Sequence, residues 1–117
     1  TTLAEYLINN GYGYEGSGDD IAKSMAATTS WDVSSITGTP GNDPAGNNSS
    51  GLSMLPGGMR TGSASFAGMG LQGYWLSATE STNEYYIWYR RLLHTISNFN
   101  RNDYYKGNGY SVRCVKD

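Results

Sequence analysis

The first nine residues carry apolar side chains at helical spacing. Leu3, Tyr6 and Leu7 fall on one face of a helix, and this pattern predicts a short amphipathic helix. Thr2 lies three residues before Glu5, which is the spacing of a capping box. We therefore expect a short helix over Thr1–Asn9 with Thr2 as its cap.

A second short helix is predicted over Asp19–Ala27. Ile21 and Met25 are four residues apart and would share its buried face. Asp19 or Asp20 would cap its N-terminus, where an acidic side chain also suits the helix dipole.

The segment Thr28–Ser53 is rich in Gly, Pro, Asn and Ser, which predicts a long loop. A loop of this length in a small domain is usually functional or fixed by its own side chains. We expect Trp31, Val33 and Ile36 to attach it to the body of the domain.

The second half of the chain is rich in strand-like segments. Phe66 is the expected apolar anchor of one of them, and residues 106–109 predict a tight turn. The predicted strands are Leu52–Arg60, Ser65–Met69, Gly73–Ala78, Glu84–Leu93, Phe99–Tyr105 and the closing strand Tyr110–Val115.

Side chains alternate across a strand, so the strongest predicted strand has two different faces. One face supports the fold, together with Phe99, Arg101 and the closing strand. The supporting side chains are Trp88, Arg90 and Leu92, on the face that also carries Tyr86. The opposite face carries Tyr85, Ile87, Tyr89, Arg91 and Leu93.

The composition fits short elements joined by many turns. The 117 residues suit one domain over 1–117, and 16 Gly with 38% apolar residues argue against a helical bundle. An aromatic content of 13% argues against disorder. Because the sequence starts at Thr1 without Met, we expect a domain excised from a longer protein.

Charge adds a constraint on partners. The net charge is −2, and six of the eight Lys and Arg residues lie in residues 83–117. This mildly basic region lacks the dense patch and motif of a nucleic-acid-binding protein, so no nucleic-acid partner is expected. No apolar stretch is long enough to span a membrane, so direct membrane insertion is not expected either.

The inventory of reactive side chains argues against an enzyme. His94 is the only histidine, and Cys114 is the only cysteine, in an apolar run where we expect it to be buried. We expect no catalytic residue, no metal and no cofactor. Calcium-dependent sugar binding through the Asn98–Asn108 amides stays a lesser alternative, because that segment offers only the Asp103 carboxylate.

The strand-and-turn region from residue 83 to residue 108 has the composition of a contact surface. Tyr supplies contact area at low entropy cost, and short polar side chains adapt their hydrogen bonds. The candidate ligand-binding residues are Tyr85, Tyr89, Arg91, Leu93, His94, Asn98, Asn100, Asn102, Tyr104 and Asn108.

Several dispersed motifs carry a resemblance to a known family. They are Gly41–Pro44, Leu55–Arg60, Trp75–Glu80, Arg90-x-Leu92 and Gly109–Val115. With these motifs in this order, the chain resembles the Fibrobacter succinogenes major paralogous domain over about residues 15–117.

That family is similar in fold to the C-type lectins and the formylglycine-generating enzymes. The resemblance implies an α+β domain with two short helices near the N-terminus and a twisted antiparallel sheet with long loops. In the closing strand, Arg113 would pair with a buried carboxylate, for which Glu80 is the best candidate.

The resemblance also implies a setting and a source of variation. Similar domains occur on bacterial surfaces and phage fibres, and some are diversified by retroelements that mutate template adenines. The residue types in Asn83–Asn108 resemble the products of mutated Asn codons, apart from Glu84, Trp88 and Lys106, which we assign to the scaffold.

The function expected from these observations is a non-enzymatic receptor-binding module at the tip of a bacterial surface appendage or phage fibre. Its location would be extracellular, on a bacterial cell surface or a virion, and its partner a surface protein or glycan. Oligomers would form through the parent protein. The alternative is a structural or assembly domain whose Tyr- and Asn-rich surface packs on a neighbouring subunit.

Overall fold

The N-terminal helix α1 spans Leu3–Asn9 in the computed structural model, which describes residues 2–114. The predicted capping box is confirmed: the Glu5 N–H donates to Thr2 Oγ1 at 3.2 Å, and the Thr2 N–H donates to Glu5 Oε2 at 2.8 Å. Leu7 is buried as predicted, whereas Tyr6 is exposed. The stripe that packs on the core is rotated by one residue and consists of the buried Leu7 with the partly buried Leu3, Ala4 and Ile8.

The second helix, α2, is a single turn over Ala22–Met25 and is shorter than predicted. Ile21 and Met25 are both buried, which confirms its apolar face. The predicted aspartate cap is wrong. No side chain caps α2, and Asp20 Oδ1 instead accepts the N–H of Tyr14 at 3.1 Å.

Five strands form one curled sheet: β1, Gly57–Arg60; β2, Phe66–Met69; β3, Gln72–Glu80; β4, Tyr86–Leu93; and β5, Asn100–Tyr105. Their order across the sheet is β2–β1–β3–β4–β5. Neighbouring strands are antiparallel except β1 and β3, which run parallel where Gly58 meets Gly73. The expected all-antiparallel sheet is therefore wrong at this pair, because β2 and β3 lie on opposite sides of β1.

The core lies between the two helices and one face of the sheet. We call this the inner face; it carries Trp75 on β3 and the fully buried Leu92 on β4. The predicted anchor Phe66 is 81% exposed on the edge strand β2, so that prediction is wrong. The buried core residues are Leu7, Ile21, Ala22, Met25, Ala26, Trp31, Met54 and Leu92.

The long loop is held mainly by polar contacts. Trp31 is buried as predicted, but Val33 is 87% exposed and Ile36 is also exposed. Asn47 is buried, and its Nδ2 donates to the carbonyls of Ala27 and Pro40, each at 2.9 Å. Hydrogen bonds from side-chain amides thus fix the loop where the sequence predicts apolar anchoring by Val33 and Ile36.

Lys23 reinforces this attachment from α2. Its Nζ donates to the carbonyls of Asn42 and Asp43 and to Asn47 Oδ1, the last at 2.9 Å. Partial burial lowers the pKa of Lys23, and nearby Asp43 opposes that shift. The loop is also tied to the end of β4, where the Gly41 N–H donates to the carbonyl of His94 at 2.9 Å.

The predicted closing strand is replaced by two isolated bridging residues. Gly109 exchanges main-chain hydrogen bonds of 2.7 and 2.9 Å with Arg60 on β1. Ser111 bridges β3 beside Trp75, two residues further on. The last residue of the predicted strand, Val115, lies outside the described residues, as does Thr1 at the other end of the chain.

Two further expectations for the C-terminal segment are wrong, because the pairing ends at Ser111. Cys114 is exposed rather than buried in a strand. Arg113 is also exposed, and its Nη1 donates to the main-chain carbonyl of Leu52 rather than to Glu80.

Candidate functional site

The pairing of β4 with β5 places much of the predicted contact set on one side of the sheet. Ile87 faces Tyr104, Tyr89 faces Asn102 and Arg91 faces Asn100 as direct cross-strand partners. Direct partners project to the same side of a sheet, so these six side chains share what we call the outer face. The alternation predicted from the sequence is confirmed here; contact with a ligand stays a prediction.

Tyr89 is a buried residue of the outer face. Its side chain is only 6% exposed and packs between Tyr74 on β3 and Tyr110 in the C-terminal segment. Burial raises the pKa of both Tyr89 and Tyr110. We call these three rings the tyrosine cluster, and we assign Tyr89 to packing.

Arg91 lies beside this cluster. Its guanidinium sits over the ring of Tyr74, 5.8 Å from the centroid, and Nη2 donates to Asn100 Oδ1 at 3.4 Å. Its Nε is buried and has no hydrogen-bond partner among the described residues. Within residues 2–114, the Nε–H group of Arg91 is therefore a donor without an acceptor.

His94, just past the end of β4, is half-buried and fixed by its main chain. Its N–H donates to the carbonyl of Leu71 at 2.9 Å, and its carbonyl accepts from Gly41. Its Nδ1 is buried and likewise unpartnered within residues 2–114. The neighbouring Leu93 is half-buried.

Tyr85, Tyr104 and Asn98 are freely exposed candidates at the two ends of the β4–β5 ribbon, and Asn102 is exposed between them. Tyr85 is 63% exposed and Tyr104 is 53% exposed at one end, with Tyr105 exposed beside them. Asn98 is exposed in the turn at the other end. Between them runs β4, whose eight residues span about 25 Å at roughly 3.3 Å per residue.

Asn108 has a structural role. Its Oδ1 accepts the N–H of Gly62 at 2.9 Å, and its Nδ2 donates to Tyr110 Oη at 3.0 Å. It thereby fixes the turn after β5 to the β1–β2 connection and to the tyrosine cluster. Its contact with a ligand stays untested, although both polar atoms of its side chain are already engaged.

The donors considered for calcium do not converge. Asn100 and Asn102 lie on the outer face, whereas Asp103 projects to the inner side opposite Trp88 and accepts the Ser81 hydroxyl at 2.5 Å. Within residues 2–114, no group of three His, Cys, Asp or Glu side chains is placed to hold a metal ion. In the same range, no helix is long and apolar enough to cross a membrane.

The inner face contains a groove that sequence reasoning missed. It lies between α1 and the sheet, has a volume of about 610 Å³ and is lined by Arg90, Arg101 and Arg113. The sequence predicts a supporting role for Arg90 and Arg101 and a buried ion pair for Arg113. The signal that was available is the placement of Arg90 and Arg101 on the supporting side of two adjacent predicted strands.

Comparison with known proteins identifies the family. We find no match among curated proteins and none among solved structures. The family model described as the Fibrobacter succinogenes major domain matches residues 1–116, which is nearly the whole chain. The chain belongs to the Fibrobacter succinogenes major domain family.

Proposed function

We propose that this domain is a non-enzymatic binding module whose β4–β5 ribbon contacts a macromolecule, a protein or glycan receptor. The observation that carries the proposal is the exposure of Tyr85, Tyr104 and Tyr105 together with Asn98 and Asn102 on one ribbon. Exposed aromatic rings are over-represented among the residues that dominate binding energy. Patches of this kind commonly mark interaction sites.

The spacing of these residues favours a large partner. The exposed Tyr end and the Asn98 turn are separated by about 25 Å, the length of an eight-residue strand. A single sugar ring cannot touch both ends, whereas a protein surface or an extended glycan can. A surface receptor suits the proposed location on a bacterial cell surface or virion, at the tip of an appendage or fibre.

The finer fold assignment belongs to the same proposal. Two short helices near the N-terminus and a curled sheet with long loops support a C-type-lectin-like arrangement. An experimental structure that superimposes on a C-type lectin domain over its central strands would establish it. A structure with a different strand connectivity would refute it.

The experiment compares three forms of the domain for binding to intact bacterial cells and to a glycan array. The double variant Tyr85→Ala/Tyr104→Ala removes two exposed rings from the ribbon, and Phe66→Ala removes an even more exposed ring from β2. We expect at least about tenfold weaker binding for the double variant, since two anchoring rings are lost, and unchanged binding for Phe66→Ala. Equal binding by all three forms would refute the role of the ribbon.

The assembly alternative also has an observation in its favour. β5 is an edge strand of the sheet, and an edge presents unpaired main-chain groups to another chain. Analytical ultracentrifugation separates the two functions. A dimer that the Tyr85→Ala/Tyr104→Ala variant dissociates, without any receptor, favours assembly.

A further inference from the structure

The groove on the inner face has the form of a small-molecule site. Its volume of about 610 Å³ falls within the range of such sites, roughly 300–1,000 Å³. Residues of α1, of the segment before β1 and of the sheet make its floor largely apolar. The apolar lining includes Leu3, Ile8, Leu52, Trp75 and Phe99.

Three arginines surround this floor. Trp75, Arg90 and Arg101 form one row across β3, β4 and β5, because Trp75 pairs with Arg90 and Arg90 pairs with Arg101. Like charges directly opposite each other on antiparallel strands are destabilising. Arg113 adds a third guanidinium from the C-terminal segment. A negative charge placed between these side chains would offset their mutual repulsion.

The described residues supply little negative charge to the groove. Its one acidic lining residue in that range is Glu5, whose Oε2 already accepts the N–H of Thr2. Asp103, the next acid on the inner face, accepts the hydroxyl of Ser81 and does not line the groove. Within residues 2–114, no hydrogen bond joins a groove arginine to a carboxylate.

The guanidiniums are positioned but keep free donors. Arg90 Nη1 donates to the carbonyl of Phe99 at 3.2 Å, and Arg113 Nη1 donates to that of Leu52. Arg101 lies over the ring of Trp88, 3.9 Å from its centroid. An arginine has five N–H donors, so each side chain has several left for a ligand. Burial lowers the pKa of Arg90, and Arg101 lowers it further, as expected for neighbouring cations.

We propose that this groove binds a small amphipathic carboxylate, with its hydrocarbon body on the apolar floor and its headgroup between Arg90 and Arg101. The guanidinium fork matches a planar carboxylate in bidentate geometry. A single negative charge also costs less to bring into a largely apolar groove than a doubly charged phosphate. This site lies on the opposite side of the sheet from the outer face and is independent of the receptor-binding proposal.

Isothermal titration of the domain with decanoate, below its micelle concentration, tests the proposal. Decanol has the same chain without the charge, and inorganic phosphate has charge without the chain. We expect decanoate to bind at least about tenfold more tightly than either, since a charge-assisted hydrogen bond contributes more than a neutral one. Equal affinity for decanol or for phosphate would refute the amphipathic carboxylate assignment, as would the absence of saturable binding.

Two variants locate the ligand. Arg101→Gln should weaken decanoate binding at least about tenfold, and Arg60→Gln, an exposed arginine outside the groove, should leave it unchanged. Arg90→Lys retains the charge but loses the guanidinium fork, so we expect a smaller loss of decanoate affinity than for Arg101→Gln. The melting temperatures of Arg90→Lys and Arg60→Gln are compared to show that both variants are folded. Binding that survives Arg101→Gln undiminished would place decanoate elsewhere and refute the site.

Discussion

The ring of Tyr89 stacks on the ring of Tyr110, with centroids 5.6 Å apart and planes inclined by 24°. Tyr74 completes the cluster by meeting Tyr89 edge-on at 5.2 Å. This contact joins the middle of β4 to the C-terminal segment, which also touches the sheet through the Tyr74–Tyr110 ring contact and the Gly109 and Ser111 bridges. Tyr89 therefore contributes to stability even though it lies among residues predicted to bind a partner.

The first prediction follows from this burial. Tyr89→Ala should lower the free energy of unfolding by about 3 kcal/mol, the usual cost of deleting a buried aromatic ring. Tyr85→Ala, on the exposed end of the same ribbon, should change it by less than about 0.5 kcal/mol. Urea unfolding of the two variants measures the difference. Equal stabilities would mean that the tyrosine cluster is not packed as described.

The second prediction concerns the N-terminal cap and pH. Hydrogen bonds from Thr2, main chain first and then side chain, hold the pKa of Glu5 below its ordinary value of 4.5. A carboxyl whose pKa is lower in the folded state stabilises the fold above its unfolded-state pKa. That contribution is lost as the pH falls through the lower, folded-state value.

Melting temperatures of the wild type and Glu5→Gln, measured from pH 7 to pH 3, check this. We expect the wild type to melt higher at pH 7 and the difference to shrink below pH of about 4.5, since Glu5 is then increasingly protonated. Glu15→Gln removes an exposed acid outside the cap and is the control for the loss of one negative charge. A Glu5→Gln difference that is constant with pH would contradict the capping role.

The third prediction concerns Gly58, where β1 meets both β2 and β3. Its φ is +66°, and a Cβ there would lie 2.2 Å from the carbonyl oxygen of Ala67. Gly58→Ala should therefore cost more than about 1 kcal/mol through backbone strain and a clash with main chain.

Gly51 provides the matched control for Gly58. Its φ of +77° is also in the left-handed region, but nothing lies within 4 Å of a Cβ at that position. Gly51→Ala should show the strain alone, on the order of 1 kcal/mol. Denaturant midpoints compare the two variants, and equal losses would mean that the close approach to Ala67 is absent.

Local signals in the sequence were sufficient for several elements. The capping box at Thr2 and Glu5 depends on residues three apart, so it was readable without a fold. The dense apolar and aromatic runs likewise predicted β3 and β4, and the turn after residue 105 predicted the end of β5. For these elements the structure shifts the boundaries by one or two residues.

Long-range choices were not readable in the same way. An apolar residue in a loop has no periodic neighbours to show which way it points. Val33 and Ile36 are exposed, and hydrogen bonds from the Asn47 amide help to fix the loop. Arg113 and Cys114 were placed in a strand by their apolar neighbours. Their exposure follows from main-chain pairing that ends at Ser111.

The candidate site was predictable only where a local pattern was sufficient. Strict alternation correctly separated Arg91 from Arg90, because it needs no knowledge of the partner strand. It did not reveal that Tyr89 would be covered by Tyr110, nor that Arg90 would face Arg101 over a groove. Both facts depend on register between segments that are distant in sequence.

The separation of Arg90 from Arg91 limits how this domain can change. Substitutions at alternate positions of β4 alter one surface while leaving the other intact. An insertion or deletion of one residue within β4 would exchange the two surfaces, turning Arg91 toward α1 and Arg90 outward. We therefore expect natural variants to differ in residue type along β4 but to keep its length, with changes in length confined to the turn between β4 and β5.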